Sequence, residues 1–321
     1  MHNMVSSLKS VHNNLPIGII ATCVGATTLS NIFALHELIY LKDVFMNLAA
    51  FVALLGVLKV IIYKDKVKEE LNLPVVASVF PTFGMLTMIL GNYYLKFSYI
   101  LGKGMWTIGL TIYLVLSVIA VYKHIIKKFN FNTFVPSFFI PFVGILVACV
   151  SSTGMNEPIL TKYIFYWGTI TYFILLPIMI YRIYKGHIDT IIFPTVVIMA
   201  APPSLVVVSY LTIFDTFNKG FITFMISLVL IMTLFAYTRI PICLKEDFNV
   251  GFASLTFPLA ISTLATFKTS MYFENINITF SHFLQLAGVI ELFIATSIIG
   301  FVLYNLFILL FRKLSAKDAM E

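Results

Sequence analysis

Apolar stretches of about 20 residues, separated by short polar breaks, follow one another along the whole chain. Each is long enough to cross the roughly 30 Å hydrocarbon core of a bilayer as a helix. In lipid every backbone polar group must be satisfied internally, which favours helices. The pattern predicts an all-α membrane protein with ten transmembrane helices. The predicted spans are residues 15–35, 43–63, 74–95, 100–122, 133–152, 160–183, 190–213, 219–239, 250–272 and 283–311.

The composition excludes a soluble domain. Hydrophobic residues make up 60% of the 321 positions and charged residues 11%, whereas a soluble domain carries roughly 25% charged residues. We therefore expect one transmembrane domain, residues 1–321, with short cytoplasmic segments at 1–14 and 312–321. The chain has three cysteines, Cys23, Cys149 and Cys243, which is an odd number. They are not spaced as metal ligands are, so we expect buried thiols.

The basic residues are distributed unequally between the two sides of the predicted membrane. Fifteen of the 21 Lys and Arg residues lie in or near the terminal segments and even-numbered connections, and six lie in or near the odd-numbered connections. By the positive-inside rule this predicts a multi-pass protein of the cell membrane with both termini in the cytoplasm. The net charge of +7 is explained by topology, because no basic run is long or interleaved with exposed aromatics. We expect no nucleic-acid partner.

Proline distinguishes two kinds of helix. Nine of the twelve prolines lie in odd-numbered spans, and a proline in lipid is tolerated where protein or a water-filled cavity satisfies the freed carbonyls. The odd spans open near Pro16, Pro74, Pro136, Pro194 and Phe252, at intervals of 58, 62, 58 and 58 residues. The period predicts five helical hairpins with quasi-fivefold symmetry, in which the odd helices form an inner ring around a central pore.

The odd spans predict an uncharged pore. Up to residue 267 they contain no acidic, basic or histidine side chain. A proton-coupled carrier usually keeps a titratable group in its path, and a cation channel usually carries acidic or carbonyl ligands, so both become less favoured. Small, hydroxyl and proline residues are plentiful instead. The candidate pore-lining residues are Gly18, Gly25, Pro81, Pro141, Pro202, Pro258 and Ser262.

One carboxylate falls inside an even span. Glu291 lies about eight residues into the tenth span, where an unpaired charge is costly, so it is a functional candidate by default. Because its helix belongs to the outer ring, we favour a structural ion pair near the extracellular side, with Lys268 as the candidate partner, over a role in permeation. The six histidines share no metal-ligand spacing. No nucleophile with a base and no nucleotide-binding motif occurs, so we expect no enzyme activity, no cofactor and no metal.

The segment Asn249 to Lys268, NVGFASLTFPLAISTLATFK, carries the motif TFPLA. Together with LPIGIIATCVGATTLS, VFPTFGMLTMILG, VPSFFIPFVG and MAAPP in the earlier odd spans, it resembles the tellurite-resistance/dicarboxylate transporter (TDT) family. That family includes a bacterial tellurite-resistance protein, fungal malate permeases and the slow-type anion channels of plant guard cells. The five motifs occur in order at the repeat spacing, so the resemblance covers nearly the whole chain.

The resemblance implies five helical hairpins around a pore, commonly in a trimer whose subunits each have their own conduit. It also implies that Phe257, directly before Pro258, occludes the pore as a gate. We expect a passive channel for small monovalent anions such as chloride and nitrate. The family also leaves open a proton-coupled carrier of C4-dicarboxylates and an exporter of tellurite or other toxic oxyanions. Lipid and small inorganic anions are the expected partners.

Overall fold

The computed structural model describes residues 16–318, with side chains described as far as residue 309. The predicted N-terminal segment 1–14 lies outside the described residues, as do residues 319–321, while residues 312–318 continue the last helix. Within this range the chain is helical and contains no β-strand. Ten apolar helices succeed one another: α1 Gly18–Leu35, α2 Ile39–Ile62, α3 Pro74–Tyr94, α4 Tyr99–Lys127, α5 Pro136–Val150, α6 Pro158–Lys185, α7 Phe193–Ile213, α8 Lys219–Cys243, α9 Val250–Phe273 and α10 Ile278–Asp318.

The helices form an inner and an outer layer. Between 72 and 78% of the most apolar part of α1, α3, α7 and α9 is buried, compared with 22 to 39% for the even-numbered helices. The shorter helix α5 is also mostly buried. Large apolar side chains such as Phe51 and Phe293 point outward from the even helices, as lipid contact requires. The predicted all-α membrane fold, with odd helices inside and even helices outside, is confirmed.

Proline and glycine interrupt the inner helices. Helix α3 breaks between Pro74–Val79 and Thr82–Tyr94, and α5 alternates short α and 3₁₀ segments. Helices α7 and α9 begin as 3₁₀ helices, Phe193–Ala200 and Val250–Leu255. Proline removes a backbone donor and clashes with the preceding turn, which prevents a continuous α-helix. The inner ring is therefore built from broken helices, whereas the outer helices are long.

Buried polar contacts fasten the connections at the face where the odd helices begin, which we call the N-end face. Lys59 is buried in α2, and its ammonium lies 2.6 Å from the Glu70 carboxylate in the short helix Lys64–Glu70. Arg182, fully buried at the end of α6, donates to the carbonyls of Phe131 and Asn132 at 2.7 Å each. These contacts join neighbouring connections. The three cysteines are buried free thiols.

Candidate pore

A cavity of about 350 Å³ opens at the N-end face and is lined by all five odd helices. Each helix contributes mainly apolar atoms, for example Ala21 of α1, Met85 of α3, Val143 of α5, Ile198 of α7 and Ala253 of α9. No residue of an even-numbered helix is among the lining residues of this cavity. The inner ring therefore encloses a lumen, as a pore along its axis requires.

A smaller cavity of about 30 Å³ lies towards the C-end face, where the odd helices end. It is also lined by residues of all five inner helices, but its lining is more polar. The polar side chains are Thr28 and Asn31 of α1, Asn92 of α3 and Ser151 at the end of α5. The two cavities thus lie one behind the other along the inner ring.

Phe257 and Leu205 are the two residues that line both cavities. Phe257 is half-buried and makes no ring contact with another aromatic residue in the described part of the chain. It is the second residue of the α segment of α9, directly after the 3₁₀ segment and before Pro258. A large apolar ring therefore stands between the cavities, on backbone that changes its helical geometry at that point.

The backbone that carries Phe257 is held against α1 by glycine. A Cβ atom at Gly25 would lie 2.7 Å from the Phe257 nitrogen and from the Thr256 carbonyl carbon. At Gly18 a Cβ atom would lie 2.5 Å from a methyl group of Val250. The absence of a side chain at these positions allows α1 and α9 to approach closely. Gly25 therefore supports the Phe257 backbone without being among the residues that line either cavity.

The other candidate residues divide into two groups. Gly18, Pro202 and Pro258 line the N-end cavity together with Phe257. Pro81, Pro141 and Ser262 are buried in the inner ring but are not among the lining residues of either cavity. Ser262 donates instead to the Leu259 carbonyl of its own helix at 3.1 Å. The structure thus brings together about half of the candidates around the lumen.

Lys268 and Glu291 are not brought together. The Lys268 ammonium donates to the Thr212 hydroxyl at 3.4 Å, whereas the buried Glu291 carboxylate lies against Thr266. Thr266 and Lys268 are two positions apart, so they occupy opposite sides of α9. One carboxylate oxygen of Glu291 has no hydrogen-bond partner among the described residues. Glu291 lies on the outer side of α9 and Lys268 on the inner side.

Four of the five hydroxyl groups that line the two cavities donate their hydrogens to their own helices. Each bonds a backbone carbonyl three or four positions earlier, at 2.6 to 2.8 Å. The residues that do so are Thr28, Thr82, Ser151 and Thr195. These four hydroxyls therefore offer oxygen lone pairs to the lumen. The fifth, Ser254 at the N-end cavity, makes no hydrogen bond with another described residue, so its hydrogen remains available as a donor.

Helical periodicity could have found several lining residues that residue type did not. Ile261 and Leu264 lie four and seven positions after Phe257, on the same face of α9, and both line the C-end cavity. Asn31 follows Thr28 by three positions on α1 in the same way. Leu205 carries no chemical signal, because apolar residues surround it on α7.

Comparison with known proteins identifies the family. An uncharacterized transporter of Methanocaldococcus jannaschii, MJ0576, is 27% identical over 222 residues, which cover 60% of this chain. The match spans 63% of the length of that relative. The sequence profile of the SLAC1 family, described as voltage-dependent anion channels, matches residues 14–307, almost the entire chain. The chain belongs to the SLAC1 family of voltage-dependent anion channels.

Proposed function

We propose that the protein is a passive channel for small monovalent anions such as chloride and nitrate, with Phe257 as its gate. The observation that carries the proposal is the position of Phe257, which lines both cavities of the inner ring together with Leu205. Anions would pass through each subunit along the line that joins the two cavities. Membership of an anion channel family supports this assignment.

The gate follows from the apolar nature of the constriction. Two apolar side chains, Phe257 and Leu205, meet the lumen where it narrows between the cavities. A hydrophobic constriction blocks ions by excluding the water that would hydrate them. Because Pro258 has no backbone donor, the start of the α segment of α9 is bonded less tightly than a continuous helix. Rotation of the Phe257 ring away from the axis would open the path.

The lining of the two cavities favours anions over cations as the permeating ions. Neither cavity is lined by an acidic side chain, and the carboxylate rings of cation channels are therefore missing from these linings. An uncharged lumen has a weak field, which favours anions that lose water at low cost, such as nitrate. The basic N-end face, with Lys123, Lys127 and Lys128 around one groove, would raise the local anion concentration.

A proton-coupled carrier of C4-dicarboxylates, or an exporter of tellurite or related oxyanions, is the second candidate function. The observation that favours it is Glu291, a 4% exposed carboxylate inside the membrane with one unpartnered oxygen. Intramembrane carboxylates often serve proton relays. Glu291 lies on α10 in the outer ring and lines neither cavity, which favours the channel.

The test is a voltage-clamp comparison of the wild type, Phe257→Ala and Phe252→Ala in chloride, nitrate and malate at two external pH values. Removing the ring should raise the anion current by roughly tenfold or more, since each tenfold step corresponds to about 1.4 kcal/mol of barrier. Phe252 is the matched control, because it is buried against Phe248 of the same helix region and lines neither cavity. Its substitution should leave the current small.

The two candidate functions give different results in this experiment. A pH-independent anion current that appears in Phe257→Ala alone supports the gated channel. If Phe257→Ala carries no current and labelled malate uptake follows the proton gradient, the channel proposal is wrong and the carrier proposal takes its place.

We also propose that the protein is a homotrimer in the cell membrane, with one pore in each subunit and both termini in the cytoplasm. Resemblance to the TDT family supports the trimer, and the basic N-end face supports the orientation. Native mass spectrometry of the detergent-solubilised protein distinguishes a trimer from a monomer.

A further inference from the structure

The pore-facing side of α9 continues beyond the C-end cavity to a lysine. Phe257, Ile261 and Leu264 line that cavity, and their spacing of four and three residues places them on one face of the helix. At 100° per residue, a residue four positions after Leu264 lies within the arc that these three side chains cover. That residue is Lys268. Its side chain therefore leaves α9 on the side of the lumen, about one turn beyond Leu264.

Helix α7 also reaches the C-end mouth of the pore beside Lys268. Leu205 lines both cavities, and Thr212 follows it after seven residues, two turns along the same face. The Lys268 ammonium donates to the Thr212 hydroxyl at 3.4 Å. The inner faces of α7 and α9 thus meet at the C-end mouth of the pore through this contact.

No carboxylate pairs with Lys268 in the part of the chain that the structure describes. Ion pairs elsewhere join Lys59 to Glu70, Lys96 to Asp43 and Lys103 to Glu157. Lys268 belongs to none of them, and Glu291 lies on the opposite side of α9. Lys268 is also the one acidic, basic or histidine residue on the five inner helices as the structure describes them. The positive charge at the mouth is therefore available to a mobile anion.

A second donor lies on the same part of the lumen. Asn31 lines the C-end cavity, and its carboxamide makes no hydrogen bond with another described residue. Helices α1 and α9 run side by side in register, because Gly18 packs on Val250 and Gly25 on Phe257. This register places Asn31 between one and two turns below Lys268. The hydroxyls of Thr28 and Ser151 at this cavity have already used their hydrogens, and Asn92 uses one amide hydrogen on the Thr153 carbonyl. The free donors here are therefore the Asn31 amide, the Lys268 ammonium and the second amide hydrogen of Asn92.

We propose that Lys268 and Asn31 form an anion-binding site at the C-end mouth of the pore, which recruits a small monovalent anion such as chloride or nitrate before it passes Phe257. The inference rests on the proposed channel function and names the residues that give it its preference for anions. An ammonium in a half-buried mouth acts through a lower dielectric than bulk water, so its attraction extends over the entrance.

The first test compares Lys268→Gln with Lys219→Gln, both in the Phe257→Ala background. Lys219 is exposed at the start of α8, on the same face but in the outer ring, so its loss is the matched control. At low nitrate concentration, current from anions that enter at the C-end face should fall roughly three- to tenfold in Lys268→Gln. Lys219→Gln should change it little, and Lys268→Arg should retain it because the charge remains.

Chemical restoration of the charge separates electrostatics from packing. Lys268→Cys is modified with a positively charged or a negatively charged thiosulfonate reagent, and the parent protein serves as the control because its three cysteines are buried. The positive reagent should restore the current and the negative reagent should lower it further. Equal effects of both reagents would show that Lys268 only fills space, and would overturn the inference.

A binding measurement keeps the site testable if the channel proposal fails. Nitrate should raise the melting temperature of the detergent-solubilised wild type, and this shift should be lost in Lys268→Gln and reduced in Asn31→Ala. If Phe257→Ala never conducts but this pattern is found, the gate is wrong and the anion site stands. If Phe257→Ala conducts and neither current nor nitrate stabilisation depends on Lys268, the gate stands and the anion site is wrong.

Discussion

Glycine near the pore acts through the distance between backbones. Gly25 is buried in α1 where the helix touches Thr256 and Phe257 of α9. The Thr256 hydroxyl in the same contact zone bonds the Ala253 carbonyl of its own helix at 2.8 Å and lies 3.5 Å from the Ala21 carbonyl of α1. The position of the Phe257 ring in the lumen therefore depends on a residue that does not itself line either cavity.

Substitution of Gly25 by alanine should destabilise the protein. The new Cβ atom would lie 2.7 Å from backbone atoms of Thr256 and Phe257, and backbone yields less readily than a side chain. Overpacking of this kind costs about 1–3 kcal/mol. The control is Gly300→Ala, which meets no atom within 4 Å. Thermal unfolding in detergent should show a lower melting temperature for Gly25→Ala alone, and equal melting temperatures would contradict the close approach.

The sequence predicts the kinds of residue at the pore better than the direction of each side chain. TFPLA and the uncharged odd spans draw attention to Phe257 and to the lumen, but Ser262 and Pro141 are buried residues that line neither cavity. The sequence predicts a pair between Lys268 and Glu291, because an unpaired charge inside the membrane is costly. Their separation follows from the turn of α9, which places Thr266 and Lys268 on opposite sides. The direction of a side chain depends on its position around the helix axis. Prolines in the inner ring interrupt the regular helical geometry, so that position cannot be read from residue spacing alone.

Arg182 organises two connections at the N-end face. Its guanidinium donates to carbonyls of Phe131 and Asn132 in the α4–α5 connection, and to those of Gly186 and His187 after α6. The planar fork of arginine can bond several carbonyls at once, whereas lysine acts as a point charge. This single residue therefore fixes the start of α5 relative to the end of α6.

Replacing Arg182 by lysine should destabilise the folded protein, although the positive charge is retained. The lysine cannot reach all four carbonyls, and hydrogen bonds to charged groups contribute about 1.5–3 kcal/mol each. We expect the free energy of unfolding to fall by about 2–3 kcal/mol, measured as a lower melting temperature in detergent. Lys185→Gln, at an exposed site about one turn later in α6, is the control and should change little. A similar decrease in both variants would refute the role assigned to the fork.

Helix positions could be predicted closely from hydropathy, but internal breaks and end geometry could not. The predicted span 74–95 corresponds to α3, yet its interruption around Pro81 required the structure. Helix α4 extends past the predicted residue 122 as a π-helical turn, Tyr122–Lys127. Lys59 falls inside the predicted span 43–63, and the carboxylate that neutralises it there, Glu70, lies beyond that span in the following short helix. Helix breaks, helix ends and buried charges depend on contacts with other helices and connections. The local hydropathy pattern does not contain those contacts.

The whole molecule separates three environments. Lipid contacts the outer ring of even helices, the inner ring encloses the lumen, and the basic N-end face meets water. Lys123, Lys127 and Lys128 surround one groove on that face, whereas on the opposite face Lys96 is paired with Asp43. The hydrogen bond that Lys96 donates to the Asp43 carboxylate raises the pKa of Lys96, so the lysine stays charged at neutral pH. The free positive charge is thus concentrated at the N-end face.

That charge distribution predicts the orientation in the membrane. Positively charged connections remain in the cytoplasm, so Lys128 in the α4–α5 connection should be inside and Asp215 in the α7–α8 connection outside. Both positions are exposed, and the native cysteines are buried, which gives a low background. In intact cells an impermeant maleimide should label Asp215→Cys and leave Lys128→Cys unlabelled until the membrane is permeabilised. The opposite pattern would place the C-end mouth, with Lys268, in the cytoplasm, and the site would then recruit anions for export instead of uptake.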